Sequence, residues 1–130
     1  MTPEAAIHAF LSGFGIPAYA STSTPDEGDP DWQGFPYLTY ELAVPDDWGG
    51  YETNIAVSLW FMTDSEAQPN AKAREICAAM GLGGGTLPCD GGMVWLKTGS
   101  PKWQPVRVEG ENPKIKRRLV NVSCEYAVTG

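Results

Sequence analysis

Cys89 is the residue whose neighbours most suggest catalysis. It stands in the segment "GGGTLPCDGGMVWL", residues 83–96, and Asp90 follows it directly. A thiol nucleophile requires a base that ionises it and a group that orients that base. The chain has one histidine, His8, within a predicted helix. The sequence therefore leaves open a Cys89–His8–Asp90 constellation, and with it a cysteine hydrolase, although no spacing favours either.

The same segment also has the composition of a turn. Glycines tolerate positive φ, Pro88 stiffens the entry, and Asp90 followed by Gly91 favours a tight turn. We favour this second interpretation, in which Cys89 belongs to a connection between a helix and a strand and has no part in catalysis.

The other candidates for chemistry have simpler explanations. Cys77 and Cys124 fall on predicted apolar faces, and three widely spaced cysteines match neither a zinc site nor a disulfide framework, which favours a reducing compartment. The glycines of 81–85 follow a predicted helix and precede a strand, the reverse of a phosphate-binding loop. Paired carboxylates such as Asp46 and Asp47 lie in predicted loops without an adjacent general acid. We predict no catalytic residue, no metal and no cofactor.

Charge is distributed unevenly along the chain. Residues 1–71 contain eleven acids and no Lys or Arg, whereas residues 72–130 contain all nine bases and five acids. Chance and the mixing of the two halves in a folded domain would explain this. Alternatively, an acidic face of one subunit meets a basic face of its neighbour, which favours head-to-tail association. The net charge of −7 argues against general nucleic-acid binding.

The second alternative predicts interface residues. We expect acids of the predicted loop 21–35 to approach the basic cluster "KIKRR" of a neighbouring subunit, although that cluster would also serve as a solubilising guard of a strand end. A third candidate surface is the segment 101–113, a long loop or protruding hairpin whose Trp103 would anchor a partner and whose removal would leave folding intact. The predicted interface residues are Asp26, Glu27, Asp29, Asp31, Lys102, Trp103, Arg107, Lys114, Lys116, Arg117 and Arg118.

Hydrophobic periodicity predicts the elements that would position these residues. Helices are expected at 3–13 and, with regular geometry from Pro69, at 64–81, where Asp64 or Ser65 would supply the cap. Period-two patterns predict an antiparallel strand pair, "PYLTYELAVP" and "YETNIAVSLWFMT", joined by the turn "PDDWGG". Further strands are expected at "IPAYAS", "MVWLKT" and "IKRRLVNVSCEYAV".

The predicted fold is α+β. A small antiparallel or mixed sheet of 4–5 strands carries two helices on one face, and residues 1–130 form a single domain. The N-terminus "MTPEAAIHAF" lacks a basic region typical of a signal peptide, and the longest apolar run, "IAVSLWFM", is too short to span a membrane. We therefore expect no membrane association.

Four segments together resemble a known family. "TPEAAIHAFLSGFGIPAY", "FPYLTYEL", "LPCDGGMVWLKTGSP" and "RRLVNVSCEYAV" are similar to the small tail terminator, or tail completion, proteins of siphophages and related prophages. The resemblance covers nearly the whole chain in order but includes no active-site signature. The chain departs from the family pattern in the acidic loop around 24–34 and in the segment 101–114.

The resemblance implies a structural protein of the virion. Such subunits assemble into a ring, commonly a hexamer, that caps the tail tube, stops its polymerisation and joins the tail to the head connector. The implied partners are other copies of the chain, the major tail tube protein and the head-completion or connector protein. The implied location is the head-proximal end of the tail, and the host cytoplasm during assembly. The alternatives are another neck or tail component of the same fold, a cysteine hydrolase, and an unrelated intracellular adaptor.

Overall fold

A computed structural model describes residues 1–42, 52–81, 83–110 and 112–128. The helices are α1 (Pro3–Leu11) and α2 (Ala67–Met80). The strands are β1 (Ala18–Ala20), β2 (Tyr37–Leu42), β3 (Glu52–Met62), β4 (Gly85–Cys89), β5 (Gly92–Val106) and β6 (Ile115–Val128). Short 3-10 turns span Ser12–Phe14 and Ser21–Ser23.

The strands form one mixed sheet in the order β1-β2-β3-β6-β5-β4. β1 runs parallel to β2, and every other neighbouring pair is antiparallel. The α+β class is confirmed, and so is the antiparallel pairing of β2 with β3. The predicted connector "PDDWGG" and Val44 lie outside the described residues.

The sheet has six strands in the described residues, whereas four or five were predicted, because β4 was missed. Its sequence, GTLPC, is short and contains a glycine and a proline, both of which are rare in strand interiors. Proline is tolerated here because β4 is an edge strand, hydrogen-bonded only to β5. Asp90 and Gly91 make a tight turn, as predicted, with φ of 74° at Gly91. The prediction that Cys89 lies in a connection between a helix and a strand is wrong, because Cys89 is the last residue of β4 and the turn joins β4 to β5.

The core lies on one face of the sheet, under both helices. Alternate residues of each central strand are buried, as the period-two pattern predicts. Ile7 of α1 and Ile76 of α2 are fully buried in the same cluster as these strand residues. The strand residues of that cluster with almost no exposure are Leu38, Ile55, Val57, Leu59, Val94, Leu96, Val120 and Cys124. α1 contacts β1, β4 and β5, which belong to both ends of the sheet, so the sheet curls around it.

The start of α1 is as the sequence predicts, whereas the start of α2 and its cap differ from the prediction. The Thr2 hydroxyl accepts a hydrogen bond from the Ala5 amide at 3.1 Å, and Pro3 opens α1. The regular helix α2 begins at Ala67 and not at Pro69, and its N-cap is Glu66, which makes no side-chain cap hydrogen bond, in place of the predicted Asp64 or Ser65. The Ser65 hydroxyl accepts a hydrogen bond from the Ala67 amide at 3.1 Å. Pro69 is tolerated because the first amides of a helix have no intrahelical acceptor.

Residues 101–106 are part of the main sheet. β5 continues through a bulge between Thr98 and Trp103, and residues 103–106 pair with 117–120 of β6. The segment 101–113 is therefore the end of a long hairpin, and only 107–114 connects its strands. The expectation that 101–113 can be removed without harm to folding is wrong, since removal would take away paired strand residues and half-buried Trp103.

Candidate interaction surface

Two groups of the possible cysteine constellation, His8 and Asp90, each have another partner. The Nδ1 atom of His8 lies 2.8 Å from the hydroxyl of Tyr40, and a carboxylate oxygen of Asp90 lies 2.7 Å from the amino group of Met1. Cys89 is half-buried at the end of β4, and burial, followed by the charge of Asp90, raises the pKa of its thiol. A raised pKa keeps the thiol protonated, and the thiolate is the reactive form.

The other two thiols are part of the packing. Cys124 is buried, and burial together with the charge of Glu52 raises its pKa to about 12. Half-buried Cys77 lies against the core, its Sγ 3.9 Å from the carbonyl oxygen of Lys102, and burial raises its pKa as well. The described residues contain no group of three His, Cys, Asp or Glu side chains that could hold a metal ion. None of the helices in those residues is long and apolar enough to cross a membrane.

The predicted basic cluster 114–118 is largely engaged within its own chain. Arg118, whose side chain is only 5 % exposed, pairs with Glu66 and donates from Nε to Asn70 Oδ1 at 2.7 Å. Lys116 also approaches Glu66, at 3.9 Å, and Lys114 approaches Asp64 at 3.9 Å. Contacts within one chain therefore already partly neutralise this cluster.

Arg117 points to the face of the sheet that carries no helix. Its Nη2 donates to the Ser58 hydroxyl at 3.0 Å, and its guanidinium lies 5.1 Å from the ring centroid of Trp60. Trp60 in turn stacks on Tyr37 at 6.3 Å between ring centroids. The sequence predicts no such cluster, because Ser58, Trp60 and Tyr37 become neighbours of Arg117 only through strand register.

The four predicted acids form a compact structure that we call the acidic arch, residues 26–31. The Asp29 amide donates to the Asp26 carbonyl at 2.9 Å, and the Asp31 amide donates to a carboxylate oxygen of Asp29 at 2.9 Å. Gly28, at φ 93°, permits the chain to reverse direction between Asp26 and Asp29. The four carboxylates are exposed, and within the described part of the chain no Lys or Arg lies within 4 Å of them.

Aromatic residues hold the acidic arch in place. Trp32 packs edge-on against Phe35 and against Tyr37, with ring centroids 5.6 and 6.2 Å apart. Burial, and next the charge of Glu27, raises the pKa of the Tyr37 hydroxyl, in keeping with an arch that lies beside this ring. Trp32 and Phe35 thus fold back over the sheet.

A second surface with unpaired charge lies between α2 and β5. We call it the α2/β5 groove; its lining residues are Arg74, Cys77, Ala78, Gly81, Lys102 and Trp103, around a cavity of about 340 Å³. The guanidinium of Arg74 lies 5.4 Å from the ring centroid of Trp103. Arg74 and Lys102 are exposed, and no described carboxylate lies within ion-pair distance of either.

The structure separates the predicted residues of the segment 101–113. Lys102 and Trp103 line the α2/β5 groove, whereas exposed Arg107 lies beside a different cleft together with Lys116 and Arg118. Sequence reasoning did not identify Arg74, since its partner Trp103 is distant in the chain. The only indication in the sequence was that Arg74 carries a positive charge one helical turn from the apolar face of the second predicted helix.

The acidic arch and the α2/β5 groove lie on opposite faces of the sheet. Trp103 is paired with Val120, and Val120 with fully buried Val57, which puts Trp103 on the helix-covered face. Tyr37, beneath the arch, is paired with Trp60 on the helix-free face. β3 and β6 also separate β2 from β5, a distance across the sheet of roughly 14 Å. One chain therefore carries unpaired acids and unpaired bases on separate surfaces.

No protein-family model, curated protein or solved structure matches this chain.

Proposed function

We propose that this protein is a structural component of a phage or prophage tail, and specifically a tail terminator. Copies of the chain form a ring at the head-proximal end of the tail tube, where the ring stops tube polymerisation and presents a surface to the head connector. No catalysis is part of this function. Two lines of reasoning support it, the resemblance of four sequence segments and the distribution of unpaired charge.

The observation that carries the proposal is that one chain has an acidic surface, the acidic arch, and a separate basic surface, the α2/β5 groove. A subunit whose acids and bases faced each other would neutralise itself, whereas the acidic arch and the α2/β5 groove lie on opposite faces of the sheet. Unlike surfaces produce heterologous, head-to-tail contacts, which close into a ring when the rotation between neighbours permits. A ring with a defined number of subunits is the assembly that a tube end requires.

The contacts of the possible constellation also favour a structural role over a cysteine hydrolase. His8 is paired with Tyr40, Asp90 with the amino group of Met1, and the pKa of Cys89 is raised and not lowered. An activated nucleophile needs the opposite arrangement, with a lowered pKa or an adjacent base.

The experiment that tests the proposal is tube polymerisation in the presence of the purified protein. Tail tube protein from the same phage or prophage is polymerised with and without this protein, and tube lengths are measured by negative-stain electron microscopy. We expect shorter tubes with a ring of added density at one end. Tubes of unchanged length with density bound at their ends would identify a different neck component. Tubes of unchanged length without bound density would contradict the proposal. The Cys89→Ala variant should cap tubes as the wild type does.

A further inference from the structure

We propose that the acidic arch of one copy docks into the α2/β5 groove of the next copy. This inference rests on the proposed self-assembly and names the two surfaces that would make it. The occupant of the groove is thus residues 26–31 of a second, identical chain.

Charge complementarity identifies the partner. The acidic arch presents four carboxylates, those of Asp26, Glu27, Asp29 and Asp31, with no described Lys or Arg within 4 Å. The α2/β5 groove presents two cations, Arg74 and Lys102, and its lining includes no carboxylate. Each surface therefore carries charge that the described residues of its own chain leave without an ion-pair partner, and the two signs are opposite.

The α2/β5 groove is a better binding site for the acidic arch than the basic cluster 114–118. The sequence alone predicts that cluster as the partner of the arch. Arg118 would have to leave Glu66 and Asn70 to meet a new partner, and Lys116 and Lys114 already approach Glu66 and Asp64. Breaking a buried charge contact costs more than an exposed one returns. Among the described residues, neither Arg74 nor Lys102 has an ion pair to give up. The guanidinium of Arg74 lies over the ring of Trp103 instead.

Both surfaces are held in shape before they meet. Backbone hydrogen bonds between Asp26, Asp29 and Trp32 close the acidic arch, and Trp32 fixes it on Tyr37. Trp103 forms part of the groove while packed against the core, so it offers an apolar contact that does not need to be ordered on binding. Preorganised surfaces lose less conformational entropy on association, which favours a specific contact over a diffuse electrostatic one.

The intramolecular version of this contact is excluded by the fold. The arch lies on the helix-free face beside Tyr37, and the groove lies on the helix-covered face beside Trp103. Two strands separate β2 from β5 in the sheet. The arch of one chain therefore reaches a groove only on another chain, and the contact is head-to-tail.

Two complementary charge reversals test the inference. The groove variant is Arg74→Glu/Lys102→Glu, and the arch variant is Asp29→Lys/Asp31→Lys. Sedimentation velocity at low salt measures self-association, and circular dichroism with thermal unfolding verifies that each variant is folded. Each variant alone should self-associate at least about 10-fold more weakly than the wild type, because like charges then face each other. An equimolar mixture of the two variants should recover association. In the mixture, the acidic arch of the groove variant can dock into the basic groove of the arch variant, and the reversed arch can dock into the reversed groove.

A charge-matched control distinguishes this contact from a general effect of net charge. The Lys97→Glu/Lys114→Glu variant changes the net charge by the same amount as the groove variant, at half-buried Lys97 and exposed Lys114, which both lie outside the groove. It should associate as the wild type does. Loss of association in this control equal to that in the groove variant would overturn the inference.

The outcomes separate this inference from the proposed function. If the two variants associate as the wild type does, or if their mixture does not recover, the arch does not dock in the groove, although tube capping by the wild type would still support a terminator. If the wild type neither self-associates, free or on tubes, nor caps tubes, the proposed function fails, and this contact with it.

Discussion

At the residue scale, the basic cluster 114–118 contains one buried base, Arg118. It stands in the cluster "KIKRR" with the appearance of a surface charge, yet its side chain is 5 % exposed and contacts Glu66, Asn70 and the Arg117 carbonyl. Lys114, four residues earlier, is 58 % exposed and lies 3.9 Å from Asp64. Two bases of one cluster therefore contribute differently to stability.

We expect Arg118→Ala to lower the free energy of unfolding by about 2–4 kcal/mol, because three hydrogen bonds and the packing of a buried side chain are lost. Lys114→Ala is the matched control and should change it by less than about 0.5 kcal/mol. Urea unfolding followed by tryptophan fluorescence measures both values. Equal effects of the two substitutions would contradict the buried role of Arg118.

At the scale of elements, the hairpin of β4 and β5 depends on close approach between strands. Gly92 opens β5 opposite Val128, and a Cβ atom there would overlap the carbonyl oxygen of Ala127 in β6. Backbone atoms of a paired strand cannot move aside without loss of the ladder. The glycine is thus required by packing against a neighbouring strand and not by its own φ angle.

The Gly92→Ala substitution should therefore lower the free energy of unfolding by about 2–4 kcal/mol. Gly13→Ala is the control, because a Cβ at Gly13 would meet no atom within 4 Å. It should be neutral, or stabilising by up to about 1 kcal/mol, since alanine restricts the unfolded chain more than glycine does. Thermal unfolding monitored by circular dichroism compares the two. A neutral Gly92→Ala variant would show that β5 and β6 are spaced differently near Ala127.

At the scale of the whole molecule, folding and assembly should respond differently to salt. The core consists almost entirely of apolar side chains, whereas the proposed contact between copies involves exposed charges. Salt screens exposed charges: the Debye length, beyond which their interaction is largely lost, falls from about 10 Å at 0.1 M salt to about 3 Å at 1 M. Apolar burial is not weakened in this way.

Wild-type self-association should accordingly weaken at least several-fold between about 0.05 M and about 0.5 M sodium chloride. The midpoint of urea unfolding should change little over the same range. Sedimentation velocity and unfolding curves recorded in the same buffers provide the two measurements. Association that strengthens with salt would indicate an apolar interface in place of a charged one.

Sequence patterns were sufficient to predict the α+β class, both helices, five of the six strands in the described residues, and the turn at Asp90 and Gly91. These features depend on local information, namely the period of apolar residues, capping side chains such as Thr2 and glycines at positive φ. β4 was not predicted because its sequence, GTLPC, lacks an alternating strand pattern. Its strand conformation is stabilised by pairing with β5. The acids of the arch were also identifiable from sequence, because a polar loop is exposed wherever the fold places it.

Which charged side chains have ion-pair partners could not be predicted from the sequence, because it depends on the tertiary structure. Lys116, Arg117 and Arg118 form one cluster in sequence, but strand alternation sends Arg117 to Trp60 on one face and Arg118 to Glu66 on the other. Arg74 and Trp103 belong to distant segments, and the packing of α2 on β5 makes them neighbours. A contact between distant residues depends on register and on helix placement, which the whole set of packing interactions determines together.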